Sequence, residues 1–283
     1  MVITDCRSEC GGFDSRLRCQ VFQHRISMKK FIFILSSVLM LSGCGVSTTP
    51  SSIATFRAEY ASSCDTDSNI LIRTGNYTFT TNPWGKGSIV NFTNCITGNT
   101  VISGGVVGKI TWDWVNLHNG VKSYPEIMYR PNGQPPNIPI SELGTLSTSF
   151  NVAVSATGDY NVAYDLWIDS NKQADHWPHK AEVMIKLVQT WTDRPVVDTV
   201  TINGIVFDVT VATAHYQSDT WQNYIFQAQK PVLQATLQFK PFFDYLTSRG
   251  YLSNTDIVST IEFGSEIMHG IGTVTVNAFE VFK

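Results

Sequence analysis

The segment Lys180-Ala-Glu-Val-Met-Ile-Lys186 shapes the interpretation of this chain, because it has the composition of a β-strand and yet contains a glutamate. Alternation along a strand places Glu182 and Met184 on one face and the valine and isoleucine on the other. A lone carboxylate is costly to bury, so we expect the face with Glu182 to meet solvent or a cleft. The alternative is a glutamate on the outer, convex surface of a sheet.

Short runs of β type continue in both directions from this segment. Between residues 56 and 283, runs rich in Val, Ile, Thr, Tyr and Phe are separated by Gly, Asn, Asp and Pro. Asn203 and Gly204 predict a two-residue hairpin turn, since both residue types tolerate positive φ angles. The predicted strands are 69–73, 77–80, 108–114, 150–155, 161–168, 180–186, 197–202, 205–211 and 272–282.

One segment, at about 239–249, has helical periodicity instead. Pro241 suits a first helical turn and Gly250 a C-terminal stop. Its apolar stripe consists of Phe239, Phe242, Phe243 and Leu246. Many strands with a single late helix favour an all-β jelly-roll sandwich of two packed antiparallel sheets over an α/β fold.

A second glutamate has a similar setting in Phe263-Gly-Ser-Glu-Ile-Met-His-Gly270. Glycines near Glu266 allow backbone and ligand to approach closely. Two carboxylates that face each other across a groove are what hydrolysis of a glycosidic bond requires. Glu182 and Glu266 are therefore the candidate catalytic pair.

The N-terminal region has the features of an export signal. Met28-Lys-Lys30 is positively charged, residues 31–41 are apolar, and Leu41-Ser-Gly-Cys44 looks like a bacterial lipobox, in which Cys44 is lipidated. A transmembrane helix is the alternative, but this apolar run is too short to span about 30 Å of hydrocarbon. We expect 1–27 to be an upstream extension, 28–43 a signal peptide, 44–55 a lipidated tether and 56–283 the folded domain.

This division accounts for the six cysteines. Three lie in the upstream extension and Cys44 carries the lipid, which leaves Cys64 and Cys95 in an oxidising compartment. A disulfide between them would stabilise the domain by roughly 3 to 4 kcal/mol in the chain-entropy model. The alternative is two buried free thiols. No Cys/His cluster supports a metal site, and no cofactor is expected.

Composition narrows the range of partners. Aromatic residues make up 12% of the chain and charged residues 15%, which suits a folded domain with a carbohydrate-facing surface. The net charge is −3 and there is no long basic run, so a nucleic-acid partner is excluded. Nothing points to an oligomer, and a monomer is expected.

The two glutamate segments resemble those of glycoside hydrolase family 12, the small endo-β-1,4-glucanases. Residues 182–185 resemble the family's Glu-Ile-Met-Ile nucleophile strand, and Glu266 with Gly270 resembles its acid/base segment. Residues 164–167, Tyr-Asp-Leu-Trp, and residues 272–279 resemble two further strands of the family. The resemblance extends over about residues 64–282.

This resemblance implies a role for each acidic residue. Glu182 would be the nucleophile of a retaining mechanism and Glu266 the acid/base, with carboxyl groups about 5 to 5.5 Å apart. Asp165 would lie beside the nucleophile and orient it, or else be an exposed strand aspartate. The resemblance also implies a concave substrate cleft on one sheet.

Aromatic motifs extend the resemblance. Residues 82–85, Asn-Pro-Trp-Gly, resemble the family's Asn-Leu-Trp-Gly, whose tryptophan stacks on a glucose ring. Residues 112–114 and 121–125 resemble the family's Trp-Asn-Trp and Val-Lys-Ser-Tyr-Pro. Trp112 and Trp114 share a strand face and are either core or sugar platform. The predicted substrate-binding residues are Trp84, Trp112, Trp114, Met184 and Trp167.

Three positions depart from the family pattern. Lys186 stands where the family has a tryptophan, Ile267-Met268 replaces a Pro-Trp or Pro-Phe pair, and Glu262 replaces a glutamine. Glu262 would either add a third carboxylate on the face of Glu266 or face solvent. These departures bear on chain specificity and pH optimum.

The expected function is internal hydrolysis of β-1,4-glucan, such as cellulose-like chains, mixed-linkage glucan or xyloglucan. The expected place is the cell envelope, with a lipid anchor on Cys44 in the outer membrane, or outside the cell. A non-catalytic glucan-binding lipoprotein on the same fold is the alternative. Only the enzyme requires both glutamates to converge in an open groove.

Overall fold

Strands make up most of the part of the chain that the structure describes. The computed structural model describes residues 61–65, 71–89, 91–101, 103–114, 120–170, 177–193 and 195–283. The predicted extension, signal peptide and tether lie outside these residues. The strands are β1 (Ala61–Asp65), β2 (Leu71–Thr74), β3 (Tyr77–Thr80), β4 (Thr93–Thr100), β5 (Val106–Trp114), β6 (Glu126–Tyr129), β7 (Ile138–Pro139), β8 (Ser147–Ala156), β9 (Asp159–Asp169), β10 (Ala181–Gln189), β11 (Val196–Ile202), β12 (Ile205–Tyr216), β13 (Asp219–Ala228), β14 (Gln234–Gln238), β15 (Ile257–Val258), β16 (Glu262–Gly264) and β17 (Ile267–Phe282).

The strands pair into two sheets. Sheet A has the order β1-β4-β5-β17-β8-β14 and is antiparallel throughout. Sheet B has the order β2-β3-β6-β16-β9-β10-β13-β12-β11, and β15 joins β7 to β9 beside β16. A short pairing between β17 and β9 links the two sheets.

One hydrophobic core lies between the sheets. Val152 and Phe279 of sheet A belong to the same buried cluster as Tyr164, Val183 and other residues of sheet B. Alternation along each strand sends the remaining side chains outward. The predicted all-β jelly-roll sandwich is confirmed.

The predicted helix is present as α1, Lys240–Ser248. Its stripe, led by Phe242, Phe243 and Leu246, is buried and covers the end of the core. The predicted hairpin joins β11 to β12, with φ angles of 53° at Asn203 and 78° at Gly204. Both angles are positive, as a type I′ turn requires.

One strand pair differs from the expected antiparallel arrangement. β10 and β13 run parallel, with Glu182 opposite Asn223. The chain leaves β10 for the edge strand β11 and returns through β12, so β13 is the strand that comes to lie beside β10. The strand β13 was not predicted from its sequence.

Trp112 and Trp114 are core residues, which corrects their prediction as substrate-binding residues. Both are 0% exposed. They lie on β5 of sheet A and point into the sandwich, where Trp114 stacks on Phe92 at 4.0 Å between ring centroids. Because β5 belongs to the sheet opposite the catalytic strands, neither ring is available to a sugar.

Cys64 and Cys95 form the predicted disulfide in the structure. They lie directly opposite each other on β1 and β4, at the edge of sheet A. Within the described residues, no helix has the length and apolar character that crossing a membrane requires.

Candidate active site

The acidic residues predicted from the sequence lie on the outward face of sheet B. Strand register places Asp165 of β9 opposite Met184 of β10 on one side and Glu262 of β16 on the other. Glu182, Asp165, Glu262 and Glu266 line one cleft of about 600 Å³. Sequence analysis placed these residues on strands, and pairing of the strands brings them together.

Glu182 is almost fully buried at the floor of the cleft, with 7% of its surface exposed. Its Oε2 accepts hydrogen bonds from Trp221 Nε1 at 2.7 Å and Asn223 Nδ2 at 2.8 Å. Burial raises the pKa of Glu182 to about 7; the bond from Trp221 opposes this rise, and the negative charge of Glu266 adds to it. Its surroundings therefore orient Glu182 and hold it near the midpoint of its titration at neutral pH.

Glu266 lies at the junction of β16 and β17, and Asn161 of β9 holds it in three ways. The Glu266 amide donates to Asn161 Oδ1 at 2.8 Å, the Asn161 amide donates to the Glu266 carbonyl at 2.9 Å, and Asn161 Nδ2 donates to Glu266 Oε2. Lys186 Nζ lies 3.5 Å from the same Oε2. The orientation of Glu266 is thus set by β9 and β10.

Asp165 is buried beside Glu182. Burial raises its pKa well above the usual range, and the negative charges of Glu182 and Glu262 raise it further. The surroundings of Asp165 therefore favour its neutral form more than water would. The alternative of an exposed strand aspartate does not hold.

Glu262 faces the cleft and is 7% exposed, so it does not point into solvent. It contacts Glu126 of β6, a buried carboxyl that the sequence analysis missed. Burial raises the pKa of Glu126 well above its usual range, and the charge of Glu262 and the hydrogen bond between the two carboxyl groups raise it further. Glu126 and Glu262 therefore form a second pair of neighbouring carboxyl groups at the cleft.

Aromatic side chains form the walls of the cleft. Trp84 is 48% exposed and lies 5.7 Å from Tyr216, measured between ring centroids. Trp221 lies 5.5 Å from Trp167 and 5.0 Å from Trp177. Of the predicted substrate-binding residues, Trp84 and Trp167 thus lie on the cleft.

Met184 does not line the cleft, although it shares a strand face with Glu182. It is 2% exposed and packs against Ala163 and Ile225 of the neighbouring strands. Its prediction as a substrate-binding residue is corrected, because the adjacent strands cover its side chain.

Several cleft residues were missed by the sequence analysis. The run Asp219-Thr-Trp-Gln-Asn223 alternates in the way a half-exposed strand does, and that signal could have identified Trp221 and Asn223. No sequence signal pairs Asn161 with Glu266, since the two residues are 105 positions apart. Among the described residues, no cluster of His, Cys, Asp and Glu has the arrangement of a metal site.

Comparison with known proteins gives two matches to family models. Residues 75–282 match the model of glycosyl hydrolase family 12, and residues 28–44 match the prokaryotic membrane lipoprotein lipid attachment site. Cys44 is the cysteine of that attachment site, as predicted.

The chain is also similar to individual proteins. It is 26% identical to endoglucanase S of Pectobacterium parmentieri over 78% of this chain and 87% of the relative. It is 25% identical to xyloglucan-specific endo-beta-1,4-glucanase A of Emericella nidulans over 80% of this chain and 92% of the relative.

Two solved structures share the fold. The family 12 xyloglucanase from Bacillus licheniformis superposes with a TM-score of 0.69 at 25% identity, covering 78% of this chain and 99% of the other. Endoglucanase 3 from Trichoderma harzianum, also of family 12, superposes with a TM-score of 0.68 at 27% identity, covering 80% and 98%.

Proposed function

The chain belongs to glycosyl hydrolase family 12, and on that premise we propose that it cleaves β-1,4-glucan chains internally by a retaining mechanism with two glutamates. It is a glycoside hydrolase of cellulase type. The observation that carries the mechanism is that Glu182 and Glu266, in different surroundings, line one cleft with aromatic walls.

In the first step, the Glu182 carboxylate attacks the anomeric carbon of the sugar bound beside it. The bond between that carbon and the glycosidic oxygen breaks, and Glu266 gives its proton to the leaving oxygen. A covalent glycosyl-enzyme results. The donors Trp221 and Asn223 hold Glu182 so that its other oxygen, Oε1, is directed at the substrate.

In the second step, Glu266 is ionised and takes a proton from water. The water oxygen bonds to the anomeric carbon, and the bond to Glu182 breaks, which restores both groups. Asp165, buried beside Glu182, would act as a positioning residue that orients the nucleophile.

The proposed substrate is a β-glucan, either without side chains or with branches as in xyloglucan. Exposed Trp84 and the rings of Trp167 and Trp177 present flat apolar faces, which suit the apolar faces of glucopyranose rings. Of the two relatives named above, the protein from Pectobacterium parmentieri is an endoglucanase and the protein from Emericella nidulans is specific for xyloglucan. Cellulose-like chains, mixed-linkage glucan and xyloglucan are therefore the substrates to test.

The enzyme acts at the cell envelope as a lipoprotein. The attachment-site match ends at Cys44, which we propose carries the lipid after cleavage of the signal peptide 28–43. Residues 45–55 then tether the domain 56–283, and the outer membrane is the proposed location. The alternative of a non-catalytic binding protein is not favoured, because it gives no role to the paired buried glutamates.

The test is release of reducing sugar by the purified full-length chain in detergent, with carboxymethylcellulose, β-glucan and xyloglucan as substrates. Glu182→Gln removes the nucleophile, and Glu266→Gln removes the proton donor, so each should lower kcat by about 10²-fold or more. Glu142→Gln, at an exposed turn away from the cleft, is the matched control. Wild-type activity in both cleft variants would contradict the assignment.

Two further measurements separate the two roles. An aryl glycoside with a good leaving group needs no acid, so it should restore much of the first step in Glu266→Gln and none in Glu182→Gln. Proton NMR of the products should show the β-anomer first, as a retaining mechanism requires. Initial formation of the α-anomer would rule the mechanism out.

A further inference from the structure

A lysine lies buried directly behind Glu266. The side chain of Lys186 is 4% exposed, and its Nζ lies 3.5 Å from Glu266 Oε2 and 3.0 Å from Asp193 Oδ2. A buried ammonium group is stable only with close partners. Burial lowers the pKa of Lys186, but the charges of Glu266 and Asp193 outweigh it and leave the pKa raised, so the lysine stays charged.

Asp193 is itself held by three neighbours. Its Oδ2 accepts from Gln189 Nε2 at 3.1 Å, its Oδ1 accepts from Trp191 Nε1 at 3.3 Å, and its amide donates to Gln227 Oε1 at 3.3 Å. The Trp191 ring centroid also lies 5.3 Å from Lys186 Nζ. The loop after β10 thus fixes the position of the ion pair.

Several acidic groups and one further cation lie around Glu266. The cation is buried Lys122, whose Nζ donates to the carbonyl of Met268, two residues beyond Glu266. Asp165 of β9 and Glu182 of β10 interact with the charge of Glu266, as does the buried Tyr124 hydroxyl. Glu262 of β16 lines the same cleft. Among these groups, Lys186 is the cation that is paired with the Glu266 carboxyl group itself.

We propose that Lys186, together with Asp193, is a positioning residue that orients Glu266 and stabilises the negative charge that Glu266 gains when it gives up its proton. This inference rests on the proposed function. Both donors, Lys186 and Asn161, lie at Oε2 of Glu266, so the catalytic proton is carried on Oε1.

The experiment is the pH profile of kcat/KM for the full-length chain on a soluble glucan. A nearby cation favours the ionised form of a carboxyl group, so Lys186→Met should move the alkaline limb to higher pH by about 1 unit or more. The acid limb, which reports ionisation of Glu182, should move in the same direction by less, since Lys186 also lowers the pKa of Glu182.

Asp193→Asn should shift the alkaline limb of the pH profile in the opposite direction. It removes a negative charge behind the lysine while keeping an oxygen that can accept its hydrogen bond, so the alkaline limb should move to lower pH. Lys240→Met removes an exposed lysine from an ion pair on α1 and should leave both limbs in place. A merely structural role for Lys186 would lower kcat and leave both limbs in place.

The outcomes are distinct. Shifts of opposite sign in the two variants support the inference, and unmoved limbs in active variants overturn it. If circular dichroism shows that Lys186→Met does not fold, the test is made with Asp193→Asn alone. A shift of its alkaline limb to lower pH then supports the inference, and an unmoved limb overturns it. A wild-type chain that hydrolyses none of the glucans would instead contradict the proposed function.

Discussion

At the scale of single residues, Glu182 and Glu266 show how one functional group takes two roles. Two uncharged donors from β13 bind Glu182, whereas Glu266 has an amide from β9 and a cation from β10. Burial raises the pKa of Glu182 to about 7, and the hydrogen bond from Trp221 limits that rise. The two glutamates thus have different partners within one cleft, although they are the same residue type.

The pH dependence of the reaction follows from Glu182. The nucleophile must be ionised, and below a pKa of about 7 it becomes protonated, so kcat/KM should fall as the pH drops below 7. Trp221→Phe removes a hydrogen bond that lowers this pKa, and the acid limb should then move to higher pH by about one unit. Measured pH profiles of both proteins test this.

Trp177→Phe is the matched control for that substitution. Its Nε1 donates to Asp219 instead of Glu182, and it belongs to the same aromatic group as Trp221. Trp177→Phe should leave the acid limb of kcat/KM in place, even if the loss of the indole ring changes KM. Equal shifts in the two variants would show that the ring, and not the hydrogen bond, sets the pKa of Glu182.

At the scale of secondary-structure elements, the parallel pair β10 and β13 builds the nucleophile site. The register that sets Glu182 opposite Asn223 also brings Trp221 within reach of the same carboxylate. On the other side of β10, β9 supplies Asp165 and Asn161. The adjacent strands β9, β10 and β13 thus position Asp165 and Glu182. Glu266 lies between β16 and β17, and its partners Asn161 and Lys186 are on β9 and β10.

The disulfide between β1 and β4 is an element-scale feature that stability measurements can test. The two cysteines are 31 positions apart. In the chain-entropy model, a disulfide that closes a loop of this length stabilises the domain by roughly 3 to 4 kcal/mol. The double variant Cys64→Ser, Cys95→Ser should lose about that much free energy of unfolding in urea. Its kcat should stay close to wild type, because the bond lies at the edge of sheet A.

Treatment of the wild type with a reducing agent should lower its stability to the same level. The double variant under the same treatment is the control and should not change further. An identical urea midpoint with and without the bond would show that the disulfide does not stabilise the domain.

At the scale of the whole molecule, the anchor and the sandwich have separate tasks. The attachment-site match covers residues 28–44 and the hydrolase match covers 75–282, so the two do not overlap. Lipidation requires the thiol of Cys44. In cells labelled with radioactive palmitate, the wild-type chain should therefore carry label and Cys44→Ala should carry none.

The matched control for labelling is Cys64→Ser, which removes a cysteine of the folded domain. It should carry as much label as the wild type. Label that persists in Cys44→Ala would place the lipid elsewhere or show that the label is not on a cysteine of this motif.

The amino-acid sequence alone determined the local features of this protein. Alternating apolar residues identified β9, β10 and β17, Asn203 and Gly204 identified their turn, and the stripe from Phe239 identified α1, because each signal depends on neighbouring residues. The strand faces of Glu182 and Asp165 follow from the same alternation. The short strands β7, β15 and β16 were missed, since two or three residues are too few to show a period. The longer strands β4 and β13, of eight and ten residues, were also missed.

Only the tertiary structure decided which faces meet. Trp112 and Trp84 are the same residue type, yet one is in the core and the other forms the cleft wall. Trp112 lies on β5 and points into the sandwich, whereas Trp84 lies in the turn after β3. Likewise, Asn161, Lys186 and Trp221 become partners of the two glutamates through strand pairing over long separations. Burial and charge, and with them the pKa of Glu182, depend on all of those partners at once.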